Sequence, residues 1–211
     1  MTTLGTMMDR IADEINRSDL TSQIQKAIKT AIKTYDKDRF WFNESRSFTF
    51  STVAGQEFYT SSDNTNIPNL LAIDTIQVAI TSTDKYLLQR VPYEQIEAIS
   101  SNTTVDQGQP TWFAYYGKQL RLYPIPDAVY TVRVSAVWAL DDLSATSDTN
   151  AWMTDGETLI RSRAKRELYT HVIRDTDGAA AMAQAEITEL KDLRSASSMR
   201  GATGVVQATE F

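Results

Sequence analysis

The spacing of apolar positions divides the chain into three stretches, with a helical period at both ends and a strand period between them. From about Thr6 to Asn43, Met7, Met8, Ile11 and Ile15 form one helical stripe, which Asn16-Arg17-Ser18-Asp19 interrupts. Ser18 or Asp19 has the chemistry to cap the helix that follows. Leu20, Ile24, Ala27, Ile28, Ala31, Ile32 and Tyr35 then recur at steps of three and four, with Lys26, Lys29, Lys33 and Gln25 on the other face. The stretch ends in Phe40-Trp41-Phe42, read as an aromatic plug between a helix layer and the next layer.

From about Ser45 to Leu140 the period drops towards two. Phe48 and Phe50 share one face of a strand, and Ile73 to Ile80 is rich in β-branched residues. A turn over Thr81 to Asp84 leads into Tyr86 to Val91, which predicts a hairpin. Pro92 suits the first turn of a short helix carrying Tyr93, Ile96 and Ile99. Ser100 to Gln109 reads as a polar loop. The aromatic-rich runs Trp112 to Tyr116 and Gln119 to Tyr123 flank Gly117-Lys118 and predict a second hairpin. Tyr130 to Trp138 alternates and closes the stretch.

An acidic, polar linker from Asp141 to Asn150 precedes a second helical stretch. Trp152 to Asp175 reads as one helix with Leu159, Ile160, Ala164, Leu168 and Val172 on its apolar face. Ala179 to Ser198 reads as a last helix with Ala180, Ala183, Ile187, Leu190 and Leu193. Helices, then strands, then helices predict an α+β fold, and amphipathic helices of this length need partners. The economical solution is a bundle of N- and C-terminal helices carrying an inserted antiparallel β-domain. The expected divisions are 1–44 and 152–199 for the bundle, 45–140 for the β-domain, 141–151 for the linker and 200–211 for a flexible tail.

Composition narrows the chemistry. Among 211 residues there is no Cys and one His, and the net charge is −6. Disulfide frameworks, thiolate sites and multi-histidine metal centres are thereby excluded. The first ten residues lack a basic stretch followed by an apolar run, so no signal peptide is expected, and no apolar stretch is long enough to span a bilayer. The acidic balance argues against tight DNA wrapping. No glycine-rich phosphate loop or Gly-x-Ser-x-Gly elbow occurs. His171 has no nucleophile identifiable nearby and reads as a surface or interface residue. Asp141, Asp142 and Asp148 lack the spacing of a calcium loop and read as solvated. No catalytic residue, metal ligand or cofactor is therefore expected.

Arg161, Arg163, Lys165 and Arg166 form a dense basic group. Arg161 and Lys165 stack at i, i+4, whereas Arg163 and Arg166 lie i, i+3 apart on another side. They are suited to phosphate or to an acidic partner, or else to a solvated flank balanced by Glu157 and Glu167. Val205, Val206 and Phe211 are apolar residues in a segment without periodicity, which suits ordering on a partner.

Several segments together resemble the head-to-tail adaptor family of short-tailed bacteriophages, also called head-completion proteins or tail accessory factors. They are Ile24 to Tyr35 running into Arg39-Phe40-Trp41-Phe42-Asn43-Glu44, and Phe48-Thr49-Phe50 with Gly55 and Phe58-Tyr59. The others are Gly108-Gln109-Pro110-Thr111-Trp112-Phe113, Leu120-Arg121-Leu122-Tyr123-Pro124-Ile125-Pro126, and Trp152 to Asp175. The resemblance covers roughly Leu20 to Leu193 and rests on packing patterns. It implies a virion structural protein at the head-tail junction, assembled in the host cytoplasm. It further implies a ring, typically of twelve copies, beneath the portal protein. That ring extends the channel through which DNA passes without specific binding, and it offers a platform for tail nozzle or fibre proteins. By the same resemblance, Gly201 to Phe211 (Gly201, Val205, Val206 and Phe211 among them) docks on the portal. Two other readings have sequence support. One is a carbohydrate- or nucleic-acid-binding module using Trp112, Tyr115 and Tyr116, and the other a tail-associated hydrolase using Asp155 and Glu157.

Overall fold

The computed structural model of the protein describes residues 2–100 and 106–201. It is α+β, as the order of periodicities predicts, and it divides into two compact units. One takes its described residues from the two ends of the chain, up to Asn43 and from Leu140; the other is Glu44–Ala139.

The helical unit begins with α1 (Leu4–Glu14), which Thr3 opens with a capping box. The Thr6 amide donates to Thr3 Oγ1 at 3.2 Å, and the Thr3 amide donates to Thr6 Oγ1 at 2.7 Å. Helix α2 (Thr21–Tyr35) follows, but neither Ser18 nor Asp19 caps it. Its N-cap is Leu20, with no side-chain bond. Asp19 is instead held by the Arg17 guanidinium at 2.7 and 2.8 Å, which pulls its carboxyl down to about 2.

The single helix expected over Trp152 to Asp175 is three segments. Helix α4 (Ala151–Thr154) starts on Asn150, whose Oδ1 accepts from the Trp152 amide at 3.0 Å. Helix α5 (Glu157–Leu168) restarts after Gly156. A Cβ at Gly156 would lie 2.7 Å from the Trp152 ring, so the buried indole sets both the break and the residue that occupies it. Beyond α5 the chain widens into a π-turn over Tyr169–Ile173 and ends at Arg174 in the left-handed region, φ 60°. The Asp175 carboxylate then accepts the amides of Asp177 and Gly178 and opens helix α6 (Thr176–Gly201), which is longer at both ends than its apolar periodicity implied.

Helix α5 is the centre of this unit and packs against α1, α2 and α6. Ile11, Ile28, Leu159, Ile160 and Ala164 are fully buried there. Phe40 and Phe42 stack on one another and meet Trp152 edge-on, at 5.5 and 5.0 Å between centroids. The aromatic triplet thus plugs the core beneath α4. The Asp141–Asn150 stretch is no bare tether. Leu143 is buried in the helical core, and the Asp148 carboxylate accepts the amides of Ser144 and Ala145. The Leu4 and Gly5 amides donate to Asp148 and Thr146 carbonyls at 2.9 and 2.8 Å. A side chain at Gly5 would meet Thr146 O at 3.0 Å.

In the β-unit, one sheet has the order β1-β10-β3-β4, built from β1 (Glu44–Ser51), β10 (Thr131–Trp138), β3 (Leu70–Ala79) and β4 (Lys85–Leu87). A second has the order β2-β8-β7-β5, from β2 (Phe58–Tyr59), β8 (Gln119–Tyr123), β7 (Trp112–Tyr116) and β5 (Gln89–Arg90). A small parallel pair joins β6 (Gln107–Gly108) to β9 (Ile125–Pro126). Phe48, Ile76, Val132, Phe113 and Leu122 come from both large sheets and fill one core between them. The hairpin predicted over Ile73 to Val91 forms only in part: β3 pairs with β4, but at Leu88 the chain leaves that sheet. The Leu88 amide still donates to Ile76, whereas the Gln89 amide donates to Thr111, and β5 runs parallel to β7. The hairpin of β7 and β8 forms as its turn signal predicts. Helix α3 (Tyr93–Ser100) follows Pro92 and shares a third core with Val91, Ala114 and Tyr123.

Candidate functional site

Strand alternation decides what α3 meets. On β8, Leu120 and Leu122 belong to the core between the two sheets, so Arg121 and Tyr123 fall on the opposite face, under α3. Arg121 is only 4% exposed. A buried guanidinium needs its donors matched. Its Nε donates to Glu57 at 2.5 Å, its Nη1 to Glu97 at 2.6 Å and its Nη2 to Ser100 Oγ at 2.8 Å. The Phe58 and Tyr93 rings each lie 5.1 Å from the guanidinium carbon. Tyr93 stacks on Tyr116 at 5.2 Å. The hydrogen bond between Tyr93 and Glu97 pushes the phenol up and the carboxyl down from their ordinary values. Tyr116 is 69% exposed, and this stack stands between two open clefts of about 430 and 270 Å³, lined by Arg90, Glu94 and Gln119 among others. The arrangement is an aromatic surface feature whose buried cation, Arg121, is already neutralised. Sequence reasoning named Tyr115 and Tyr116 but missed Arg121, which alternates with the core positions Leu120 and Leu122 and so reads as an outward charge until α3 covers it.

The basic group of α5 divides as its spacing implies. Arg161 and Lys165 face α1: Lys165 Nζ donates to Glu14 at 2.7 Å, and Arg161 lies 3.2 Å from Glu157 and 3.6 Å from Glu14. Glu157 also holds Arg10 at 2.6 Å. Arg163 and Arg166 face α6, at 3.6 and 2.9 Å from Glu186. Glu186 is 6% exposed, and the Tyr35 hydroxyl donates to it. Burial, then this carboxylate, raise the Tyr35 phenol well above its ordinary range. This cluster turns α6 away from its expected face. Leu190, Leu193 and Glu186 turn inward, while Ile187 is 61% exposed. The apolar reading chose Ile187 because it excluded an acid from the core.

His171 is exposed and lies 3.5 Å from Glu167. Asp155 accepts from Thr154 Oγ1 at 3.0 Å. Trp112 stacks on Tyr123 at 6.0 Å, and Tyr115 donates to the Ile67 carbonyl at 2.9 Å. Among the described residues no group of three or more His, Asp or Glu is disposed to hold a metal, and no helix is long and apolar enough to cross a membrane. Gly201 ends α6, and Val205, Val206 and Phe211 lie outside the described residues. Near its end, α6 is fixed by Arg194 on Asp38 at 2.9 Å and by Arg200 over the Trp41 ring at 4.2 Å.

No curated protein matches the chain. A family model described as SU10 adaptor protein matches residues 2–207, through both helical ends and the whole β-unit. The resemblance drawn from the packing motifs is thereby borne out, and the chain belongs to the SU10 adaptor protein family of phage head-to-tail adaptors.

Proposed function

We propose that the protein is a structural component of a phage virion that assembles as a ring beneath the portal, extends the DNA channel and carries the tail below. The observation that carries this reading is the family match over residues 2–207. Three features support it. Both ends of the chain enter one helical unit, which leaves the β-unit as an inserted platform. The polar side chains most suggestive of chemistry are held by the chain's own side chains: Glu157 by Arg10 and Arg161, and Arg121 by Glu57 and Glu97. The net charge of −6 suits a channel wall along which DNA slides without being gripped. A ring of this kind, typically of twelve copies, needs heterologous contacts that close by rotation. Portal docking is assigned to Gly201 to Phe211, the residues at and after the end of α6. Tail nozzle or fibre proteins attach on the side away from the portal.

The test is direct imaging. Purified portal mixed with the protein is expected to show a second ring of density coaxial with the portal in electron micrographs. Portal particles unchanged by saturating protein contradict the proposal. Truncation after Arg200 is expected to leave the helical unit folded and to weaken portal binding.

A further inference from the structure

The outer faces of α1 and α2 carry opposite charge. Helix α2 buries Ile24, Ala27, Ile28, Ala31 and Tyr35, and a residue-by-residue turn of 100° puts Lys26, Lys29 and Lys33 diametrically opposite. All three are exposed and make no ion pair among the described residues. Lys29 and Lys33 exert a longer-range attraction on Asp148 and Asp36. Helix α1 buries Leu4, Met7, Met8 and Ile11, and presents Asp9 and Asp13 outward, also without an ion pair among the described residues. Both stripes step by one helical turn, about 5.4 Å, so two acids of one can lie against two lysines of the other.

The acids border a cleft of about 240 Å³ between α1 and α2, whose wall includes Met8, Ala12 and Ile24 together with Ser18 and Thr21. A cleft whose lining is part apolar and part polar, with carboxylates at its rim, matches a lysine, which lays its methylenes on apolar surface and keeps its ammonium at the polar edge. We propose that this cleft receives lysine side chains from the α2 stripe of a second copy of the chain, so that each copy carries both halves of one heterologous contact. Because donor and acceptor stripes differ, the contact fixes which neighbour lies on which side. Pairs of this kind contribute more to steering and register than to affinity, and they weaken with salt. This inference rests on the ring reading given above.

The experiment compares ring formation on purified portal by wild type, by Lys26→Glu/Lys29→Glu/Lys33→Glu, and by Asp9→Lys/Asp13→Lys, with circular dichroism melts to verify folding. Each variant alone is expected to lose about tenfold or more in ring yield through like-charge contacts. Mixing the two is expected to restore rings, because every contact in an alternating ring is again opposite in sign. The five substitutions combined in one chain are expected to do the same. Folded variants that form rings as well as wild type overturn the inference and leave the adaptor reading standing. The same holds if single variants fail and neither the mixture nor the combined chain recovers. Wild type that forms no ring on the portal overturns the adaptor reading itself.

Discussion

The two units solve the same problem with opposite signs. The helical unit buries an acid, Glu186, and meets it with Tyr35, Arg166 and Arg163. The β-unit buries a base, Arg121, and meets it with Glu57, Glu97 and Ser100. Arg121 sits under a helix and between rings, with all its matched donors close, whereas Arg166 keeps a half-exposed side chain and Arg163 leaves its buried Nε unpartnered. A strand position offers no choice of face, so an inward charge there must be matched fully. A helix can rotate, and α6 settles on a face that mixes Leu190 and Leu193 with one acid.

Breaking the fuller match costs more. Arg121→Ala leaves the largely buried Glu57 side chain with no cation, and urea unfolding is expected to show a loss of about 3–4 kcal/mol from the β-unit. Glu186→Ala is expected to cost about 2 kcal/mol, because the Arg166 side chain can turn to water. Equal losses at the two sites contradict the comparison. Alkaline titration separates the units further. Burial raises the Tyr35 phenol, so above about pH 10 the unfolded chain gives up that proton first. The unfolded state then binds fewer protons than the native state, and stability falls as pH rises. Tyr35→Phe is expected to remove that part of the slope, so the gap between wild type and variant narrows above pH 10. Tyr59 and Tyr115, also raised by burial, keep the slope of the β-unit. The smallest effect is expected for Lys165→Ala, whose partner Glu14 is solvated. A change under about 1 kcal/mol in thermal unfolding is expected there, shrinking in high salt.

What could be read in the residues follows the same division. The stripes of α1 and α2 were legible because every core position on them is apolar and regularly spaced. The same rule misplaced α6, where an acid occupies the core position and Ile187 does not. The break at Gly156 depends on a contact with Trp152 four residues earlier, and the sheet switch at Leu88 depends on Thr111, a partner over twenty residues away. Neither leaves a local mark. Ser18 and Asp19 had the chemistry of a cap, but Asp19 is engaged by Arg17 and no side chain caps α2. At the candidate site the aromatics were visible and the charge that organises them was not, because Arg121 reads as a surface residue until α3 is placed above it.

The fold is proposed to be built for repetition around an axis. Sedimentation of the 23.7 kDa chain with purified portal tests it most directly. A complex heavier than the portal by a fixed, whole number of chains, reached at saturation, is the predicted result. Monomer sedimenting apart from the portal at every ratio would contradict it.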